Sequence, residues 1–312
     1  MLAAPLPAAA RTRLAPSPTG RLHLGHVAHA AFCWGFARAA GGTVLLRLED
    51  HDRGRWRPEY ETALLDEVGW LGFVPDTPPL AAFRAGPTPY RQSDNAPAYL
   101  RALATLHARA HVYACDCSRR EIVARMGKPA GEVRYDGHCR ARGLPLDGPH
   151  GVRVALPDEA VAFTDVWLGP MSQRPADQCG DVLLRDRHGN WTYQFCVVVD
   201  DLEQGVDLVI RGQDLIDSTA RQVLLARLLG RDTPPRFLHH PLVCDTAGRK
   251  LSKRDGDLAL AAWRAAGHTP AAVIGAALQR CGVSPDGKPI APAALAGWLR
   301  GALGVRVAPG QA

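Results

Sequence analysis

Two histidines stand three residues apart in a short segment rich in proline and glycine, and imidazoles at such a position can bind phosphate. His23 and His26 follow Pro16, Pro18 and Gly20 and come at the start of an apolar, alanine-rich stretch. A helix beginning there would direct free N–H groups and its positive dipole end at an anion. We interpret the segment as a nucleotide-phosphate site; the alternative is that both histidines are simple loop and cap residues.

Lysines are rare in this sequence, and two of the four stand close together. Lys250 and Lys253 lie in a polar loop after an apolar run that ends at Cys244. Ligands of open α/β sheets bind at the carboxyl ends of the strands. We therefore predict that this loop also contacts phosphate, although lysine-rich loops are often merely solvated.

Three of the eight cysteines cluster, and sulfur donors so close together are typical of a zinc site. Cys115, Cys117 and Cys139 fall within 25 residues of a glycine-rich segment that has little apolar core of its own, so a structural metal would help it fold. Tyr135, Asp136 and His138 are candidates for the fourth ligand. The chemistry alone favours His138, because imidazole binds zinc in its neutral form whereas tyrosine must first lose a proton of pKa about 10.

The predicted strands and helices that position these residues indicate an α/β fold. A strand at 11–14, a helix at 25–40 and a strand at 43–48 form a βαβ unit, which requires a parallel sheet. Between 111 and 187 short strand-like pieces and many glycines indicate an insertion. Further strands are predicted at 191–201, around Val197–Val199, and at 206–210, and further helices at 58–68, 94–110, 217–229, 269–281 and 292–303.

The composition of the sequence limits its partners and its compartment. No apolar run approaches the roughly 18–20 residues of a membrane helix, so we expect no membrane partner. The thinly spread remaining cysteines indicate a reduced compartment, and we expect a cytoplasmic monomer. The net charge of +6 suits a polyanionic partner.

The sequence divides into five predicted segments. They are a disordered leader (1–10), the first half of a catalytic domain (11–110), an insertion with a zinc site (111–187), the second catalytic half (188–257) and C-terminal helices (258–312).

Five motifs in order resemble those of the class I glutamyl-tRNA synthetases over roughly residues 11–257. The resemblance implies a Rossmann-like, doubly wound parallel sheet and a reaction of glutamate with ATP that gives glutamyl-adenylate and pyrophosphate. The HIGH and KMSKS motifs of that class match His23–His26 and Lys250–Arg254. The matching segments are Pro16–Gly20 with His23–His26, Arg47–Asp50, Tyr193 before Val197–Asp201, Arg211–Gly212 and Lys250–Arg254.

The resemblance also assigns roles to individual residues. His23, Gly25 and His26 would hold the phosphates of ATP, and Lys250 and Lys253 would neutralise the leaving pyrophosphate together with Mg²⁺. Glutamate carries two carboxylates and one ammonium group. Its pocket would consist of Arg13 and Arg211 for the carboxylates, Glu49 for the ammonium, and Ser17 and Tyr193 as hydroxyl contacts.

The cysteine segment and the short C-terminal part resemble one family of short paralogues, the glutamyl-Q tRNA(Asp) synthetases. In that family the tyrosine of a Tyr-x-x-x-Cys pattern binds zinc, which implies Tyr135 with Cys115, Cys117 and Cys139. Only 58 residues follow Arg254, so we expect no anticodon-binding domain. The resemblance implies activation of glutamate without tRNA and its transfer to queuosine at the wobble position of tRNA(Asp), with the anticodon stem-loop as partner.

Three alternatives stay open at this point. The chain could be a truncated glutamyl-tRNA synthetase that charges tRNA(Glu), or a non-catalytic paralogue that binds glutamate or nucleotide. It could also be a nucleotidyltransferase that acts on a small molecule. The retained histidines and lysines argue against a silent paralogue, and the glutamate-pocket matches argue against the small-molecule enzyme.

Overall fold

The computed structural model describes residues 1–109, 111–127, 131–244 and 259–309. The loop that carries Lys250 and Lys253 lies outside the described residues. The described strands are β1 (Arg11–Leu14), β2 (Thr43–Leu46), β3 (Val112–Cys115), β4 (Gly151–Val154), β5 (Val161–Asp165), β6 (Gly169–Gln173), β7 (Val182–Arg185), β8 (Leu208–Gly212) and β9 (Arg236–His240). The described α-helices are α1 (Leu24–Ala39), α2 (Pro58–Trp70), α3 (Ala82–Ala85), α4 (Ala96–Ala108), α5 (Arg119–Met126), α6 (Pro175–Gln178), α7 (Tyr193–Glu203), α8 (Thr219–Leu228), α9 (Leu260–Ala265), α10 (Pro270–Arg280) and α11 (Leu295–Leu303).

The predicted βαβ unit at the start of the chain is confirmed. Strands β1 and β2 are parallel, with Arg11 opposite Thr43 and Leu14 opposite Leu46. Helix α1 connects them and is buried along most of its length, because it lies between the sheet and two later helices, α10 and α11. A parallel pair needs such a crossover, and the alanine-rich composition of α1 allows it to pack closely on the strands.

A larger sheet continues this unit in the order β6-β5-β9-β8. Strands β5, β9 and β8 are parallel, and β6 is an antiparallel edge strand. The β8 side adjoins β1, where the backbone N–H of Asp207 donates to the carbonyl of Arg11 at 3.1 Å. Alternate residues of the central strands enter two cores: Ile210 lies in the core with α1, and Val209 in the core with α7 and α8. Helices therefore cover both faces of a mainly parallel sheet, as predicted.

The predicted insertion at 111–187 is only partly a separate unit. Strands β3, β4 and β7 form a small antiparallel sheet of their own, beside a core that contains Cys115, Tyr135 and Cys139. In contrast, β5 joins the larger sheet, with Asp165 as the register partner of Phe237. Along the chain, β3 and β4 belong to the small sheet, β5 and β6 extend the larger sheet, and β7 returns to the small sheet.

Two sequence predictions are wrong. The segment 191–201, predicted as a strand around Val197–Val199, forms helix α7 instead, because this apolar run is buried on every side and a buried helix then gives the same pattern as a buried strand. Residues 1–10, predicted as a disordered leader, pack on the body of the protein. Leu2 and Leu6 are buried, and Leu6 pairs with Val307 near the other end of the described chain.

The C-terminal helices predicted after residue 258 are present in α9, α10 and α11. Helices α10 and α11 both pack on α1, so they complete the core on that face of the sheet. Within the described ranges, no helix has the length and apolar character that crossing a bilayer would require.

Candidate active site

A cavity of about 810 Å³ opens at the carboxyl ends of β1 and β8. Ligands of parallel α/β sheets bind at this edge, because loops and helix N-termini converge there. Eight of the residues predicted from the sequence line this one cavity: Arg13, Ser17, His23, Gly25, His26, Glu49, Tyr193 and Arg211.

The two histidines form the start of helix α1, and each ring has a defined hydrogen bond to the backbone. Nδ1 of His23 accepts from the N–H of Gly25 at 3.0 Å, and Nδ1 of His26 accepts from the N–H of His23 at 3.1 Å. A neutral ring that accepts through Nδ1 carries its proton on Nε2, so each histidine is a donor at that nitrogen. The ring centroids lie 4.0 Å apart.

Position 25 has to be glycine because its Cα lies close to the ring of His23. A Cβ atom at this position would lie 2.8 Å from Cε1 of His23, closer than real side chains come. Only glycine therefore lets the His23 ring fold back over the helix start. The positive dipole end of that helix and the two imidazoles together form a surface suited to phosphate oxygens.

Behind Arg13 and Glu49, which line the cavity, lies a buried network of arginines and carboxylates. Asp201 accepts from Nε of Arg13 at 3.0 Å and from Nη1 of Arg47 at 2.7 Å. Nη2 of Arg47 in turn donates to Glu49 at 3.1 Å. Arg47 is completely buried, and its charge is balanced by these carboxylates and by Asp200. The sequence motifs included Arg47 and Asp201, but no role was predicted for either. Their partners are about 150 residues or more away along the chain, except for Glu49.

Arg211 differs from Arg13 and Arg47. Its guanidinium donates to three neutral acceptors: Nε2 of His239 at 2.9 Å, Oε1 of Gln222 at 2.6 Å and Oγ1 of Thr219 at 2.8 Å. Among the described residues, no carboxylate lies within ion-pairing distance of Arg211. Burial lowers the pKa of Arg211, and the nearby Tyr193 hydroxyl opposes that shift. A buried cation without an anion is costly, so this site favours an anionic ligand.

A pair of histidines that was not predicted lines the same cavity. Nδ1 of His29 lies 3.1 Å from Nε2 of His240, and the other nitrogen of His240 contacts the carbonyl of Pro241 at 2.9 Å. Burial lowers the pKa of His240 to about 4 and holds the pKa of His29 well below its usual value. Both rings are therefore neutral at pH 7. No local pattern could predict this pair, because its members are 211 residues apart.

The predicted metal ligands also converge, at a second position inside the insertion. The sulfur atoms of Cys115, Cys117 and Cys139 lie within 4.8 Å of one another. The Tyr135 hydroxyl lies 3.3 Å from Sγ of Cys115 and 3.9 Å from Sγ of Cys117. The side chain of His138, which the chemistry alone favoured, is exposed and does not belong to the cluster.

The surroundings of the thiols suit a cation held by thiolates. Each sulfur accepts from an arginine: Cys115 from Arg153 at 3.3 Å, and the other two from Arg125 and Arg142 at 3.4 Å. Such donors stabilise the thiolate form, which is the form that binds metal. Burial raises the pKa of Tyr135, so the free phenol is protonated and would lose its proton to a metal. Three sulfur donors and one oxygen donor are compatible with Zn²⁺.

Comparison with known proteins agrees with this geometry. Residues 9–290 match the family described as tRNA synthetases class I (E and Q), catalytic domain. The chain is thus a class I synthetase of the E and Q group. A glutamyl-Q tRNA(Asp) synthetase of Symbiobacterium thermophilum is 41% identical over 291 residues, which cover 90% of this chain and 89% of that protein. A second, from Geobacter sulfurreducens, is 43% identical over 289 residues, covering 91% and 86%. The chain belongs to the glutamyl-Q tRNA(Asp) synthetase family.

A solved structure is similar in both fold and sequence. The glutamate tRNA ligase of Elizabethkingia meningosepticum, determined in complex with its amino acid, superposes with a TM-score of 0.76 at 30% identity. The match covers 92% of this chain but 64% of that ligase. The chain therefore spans somewhat less than two thirds of the glutamate tRNA ligase that it resembles.

Proposed function

We propose that this chain activates L-glutamate with ATP without requiring tRNA and then transfers the glutamyl group to queuosine at the wobble position of tRNA(Asp). The observation that carries the proposal is the single cavity in which Arg211 has no described carboxylate partner while the imidazoles of His23 and His26 meet a helix N-terminus. The names of the two relatives support tRNA(Asp) as the acceptor, since each match covers most of the relative's length.

The charges in the cavity match the charges of glutamate. Arg211 would bind one carboxylate, and Arg13 would bind the other while Asp201 holds it in place. Glu49, fixed by an arginine behind it, would accept the ammonium group. Ser17 and Tyr193 line the same cavity and would add hydroxyl contacts. Bidentate pairing between guanidinium and carboxylate supplies both the affinity and the geometric selectivity.

In the first step an oxygen of the glutamate α-carboxylate attacks the α-phosphorus of ATP, and the bond from that phosphorus to the bridging oxygen breaks as pyrophosphate leaves. No protein nucleophile is needed, so catalysis depends on positioning and on charge neutralisation. His23 and His26 would donate to the transferring phosphoryl group. Lys250 and Lys253, outside the described residues, would neutralise the pyrophosphate, and Mg²⁺ would bind with ATP.

In the second step a hydroxyl of the queuosine ring attacks the carbonyl carbon of the adenylate. The bond between this carbon and the phosphate oxygen breaks, AMP leaves, and the hydroxyl proton is released. This step needs no protein nucleophile either, and the positive net charge suits a tRNA partner.

We also propose a structural Zn²⁺ bound by Cys115, Cys117, Tyr135 and Cys139. The cluster joins the end of β3 to the following segment, in a small core that contains few other apolar side chains. A bound metal would supply the folding energy that such a core lacks. It lies in the insertion, so we assign it no chemical step.

An ATP–pyrophosphate exchange assay with glutamate tests the activation step. Exchange in the absence of any tRNA supports the proposal, and exchange only after addition of tRNA(Glu) would instead indicate a truncated glutamyl-tRNA synthetase. No exchange under either condition would indicate a non-catalytic paralogue.

The acceptor requires a second assay. Purified enzyme, ATP and labelled glutamate are incubated with queuosine-containing and with queuosine-free tRNA(Asp). Label is expected only in the queuosine-containing tRNA, and equal labelling of both would refute the proposed acceptor.

A further inference from the structure

A buried chain of hydrogen bonds runs behind Arg211 through three neighbouring strands. Nδ1 of His239 contacts Oδ2 of Asp165 at 2.7 Å, and Nε2 of His239 contacts Nε of Arg211 at 2.9 Å. Asp165 and His239 have no exposed surface, and Arg211 is 3% exposed. The arrangement follows from the sheet, because Arg211 and His239 are direct register partners on the parallel strands β8 and β9.

The surroundings of Asp165 determine which nitrogen of His239 carries the proton. Oδ1 accepts from the N–H groups of Trp167 and Leu168, both at 2.9 Å. Oδ2 also accepts from the backbone N–H of His239 at 3.1 Å. The carboxylate acts only as an acceptor, so Nδ1 of His239 donates to it. Nε2 of the neutral ring must then be the acceptor for Arg211.

The ring of His239 stays neutral in this arrangement. Burial lowers the pKa of His239, outweighing the hydrogen bond to Asp165, which raises it. Arg211 is thus held by a neutral imidazole, a neutral amide and a hydroxyl, from His239, Gln222 and Thr219. The carboxylate of Asp165, which orients the imidazole, is separated from Arg211 by the side chain of His239. A carboxylate in direct contact would compete with an anionic ligand for the guanidinium.

We propose that Asp165 and His239 are positioning residues that fix the orientation of Arg211 while leaving its charge available to the carboxylate of the amino-acid substrate. This inference rests on the proposed function, in which Arg211 binds glutamate. It assigns these two buried residues a part in amino-acid affinity, although neither lines the cavity.

The variant Asp165→Asn tests the proposal. Asparagine keeps one oxygen for the N–H groups of Trp167 and Leu168 but replaces the acceptor for His239 with a donor. His239 then has to carry its proton on Nε2, facing the N–H of Arg211. We expect the KM for glutamate in pyrophosphate exchange to rise roughly tenfold or more, with the KM for ATP changed less than about twofold. Asp158→Asn, at an exposed aspartate, is the matched control and is expected to leave both values unchanged.

Two further variants separate positioning from folding. His239→Gln can place an amide oxygen where Nε2 stood and is expected to restore much of the glutamate affinity, whereas His239→Leu cannot. The ¹⁵N chemical shifts of the histidine ring report the tautomer directly. They are expected to place the proton on Nδ1 in the wild-type protein and on Nε2 in Asp165→Asn.

Two results would overturn the inference: an unchanged glutamate KM in both Asp165→Asn and His239→Leu, or a wild-type ring protonated on Nε2. A wild-type protein that catalyses no glutamate-dependent exchange would overturn the proposed function, and with it the substrate named here. The nitrogen shifts would still decide whether the hydrogen-bond chain exists.

Discussion

The paired histidines of the cavity make the stability of the protein depend on pH in a calculable way. The pKa of His240 is lowered to about 4 in the folded state from its usual 6.5, because the ring is buried. Between these values the unfolded chain binds a proton that the folded chain does not. The free energy of unfolding therefore falls as the pH drops from about 6.5 towards about 4.

The size of the effect follows from the two pKa values. Linkage gives a destabilisation from His240 of about 0.2 kcal/mol at pH 7 and about 2 kcal/mol at pH 5. The pKa of His29 is shifted in the same direction and adds to the loss. Asp200 acts in the opposite direction, since burial raises its pKa to about 6 and the folded state then gains a proton first. The total pH dependence of the wild-type protein is therefore not diagnostic, and a comparison with a variant is needed.

The assay is urea unfolding of wild-type protein and of His240→Gln at pH 7, 6 and 5, followed by tryptophan fluorescence. Between pH 7 and pH 5 the wild-type protein is expected to lose about 2 kcal/mol more than the variant, whatever their offset at pH 7. His107→Gln, at an exposed histidine of α4, is the control and should follow the wild-type slope. If His240→Gln loses as much stability as the wild-type protein, the ring is not buried in its neutral form and the reasoning fails.

Three further predictions concern the buried network, the metal cluster and the helix start. Arg47→Met is expected to cost about 3–5 kcal/mol in urea unfolding, because Glu49 and Asp200 stay buried without their cation while Asp201 keeps only Arg13; a loss below about 1 kcal/mol would contradict the network. Cys139→Ser should reduce bound zinc, measured by mass spectrometry of the intact protein. A chelator should lower the melting temperature of the wild-type protein but not of this variant, and equal melting of both would argue against a structural metal. Gly25→Ala should slow pyrophosphate exchange by displacing the His23 ring, whereas Gly297→Ala, with open space around it, should not; equal rates in the two variants would mean that the ring position is unimportant.

Local patterns in the sequence predicted the elements well where a breaker marked each boundary. The strand, helix and strand between residues 11 and 48 are such a case, because prolines and glycines separate the segments. The run Val197–Val199 had no such marker, and its complete burial removes the periodicity that distinguishes a helix from a strand. The packing of residues 1–10 depends on residues 303–308, which no local pattern can indicate.

Some residues of the candidate site could be predicted from the sequence alone, whereas others needed the family resemblance or were missed. Chemistry and spacing alone pointed to His23, His26 and the cysteines, whereas Arg211 and Glu49 came from the family resemblance. The residues that hold these groups in place were missed, because contacts such as Asp165 with His239 join strands 74 residues apart. Long-range pairs of this kind are created by sheet register, which the sequence does not encode locally.

The pairing of the two ends of the described chain has a consequence for synthesis on the ribosome. The N–H of Leu6 donates to the carbonyl of Arg306, and the N–H of Ala308 donates back to the carbonyl of Leu6. The residues around Leu6 can thus reach their place only after about 300 more residues have been translated. The part of the chain that contains β1 and α1 can begin to form its core during translation, but one side of α1 stays uncovered until α10 and α11 have been translated.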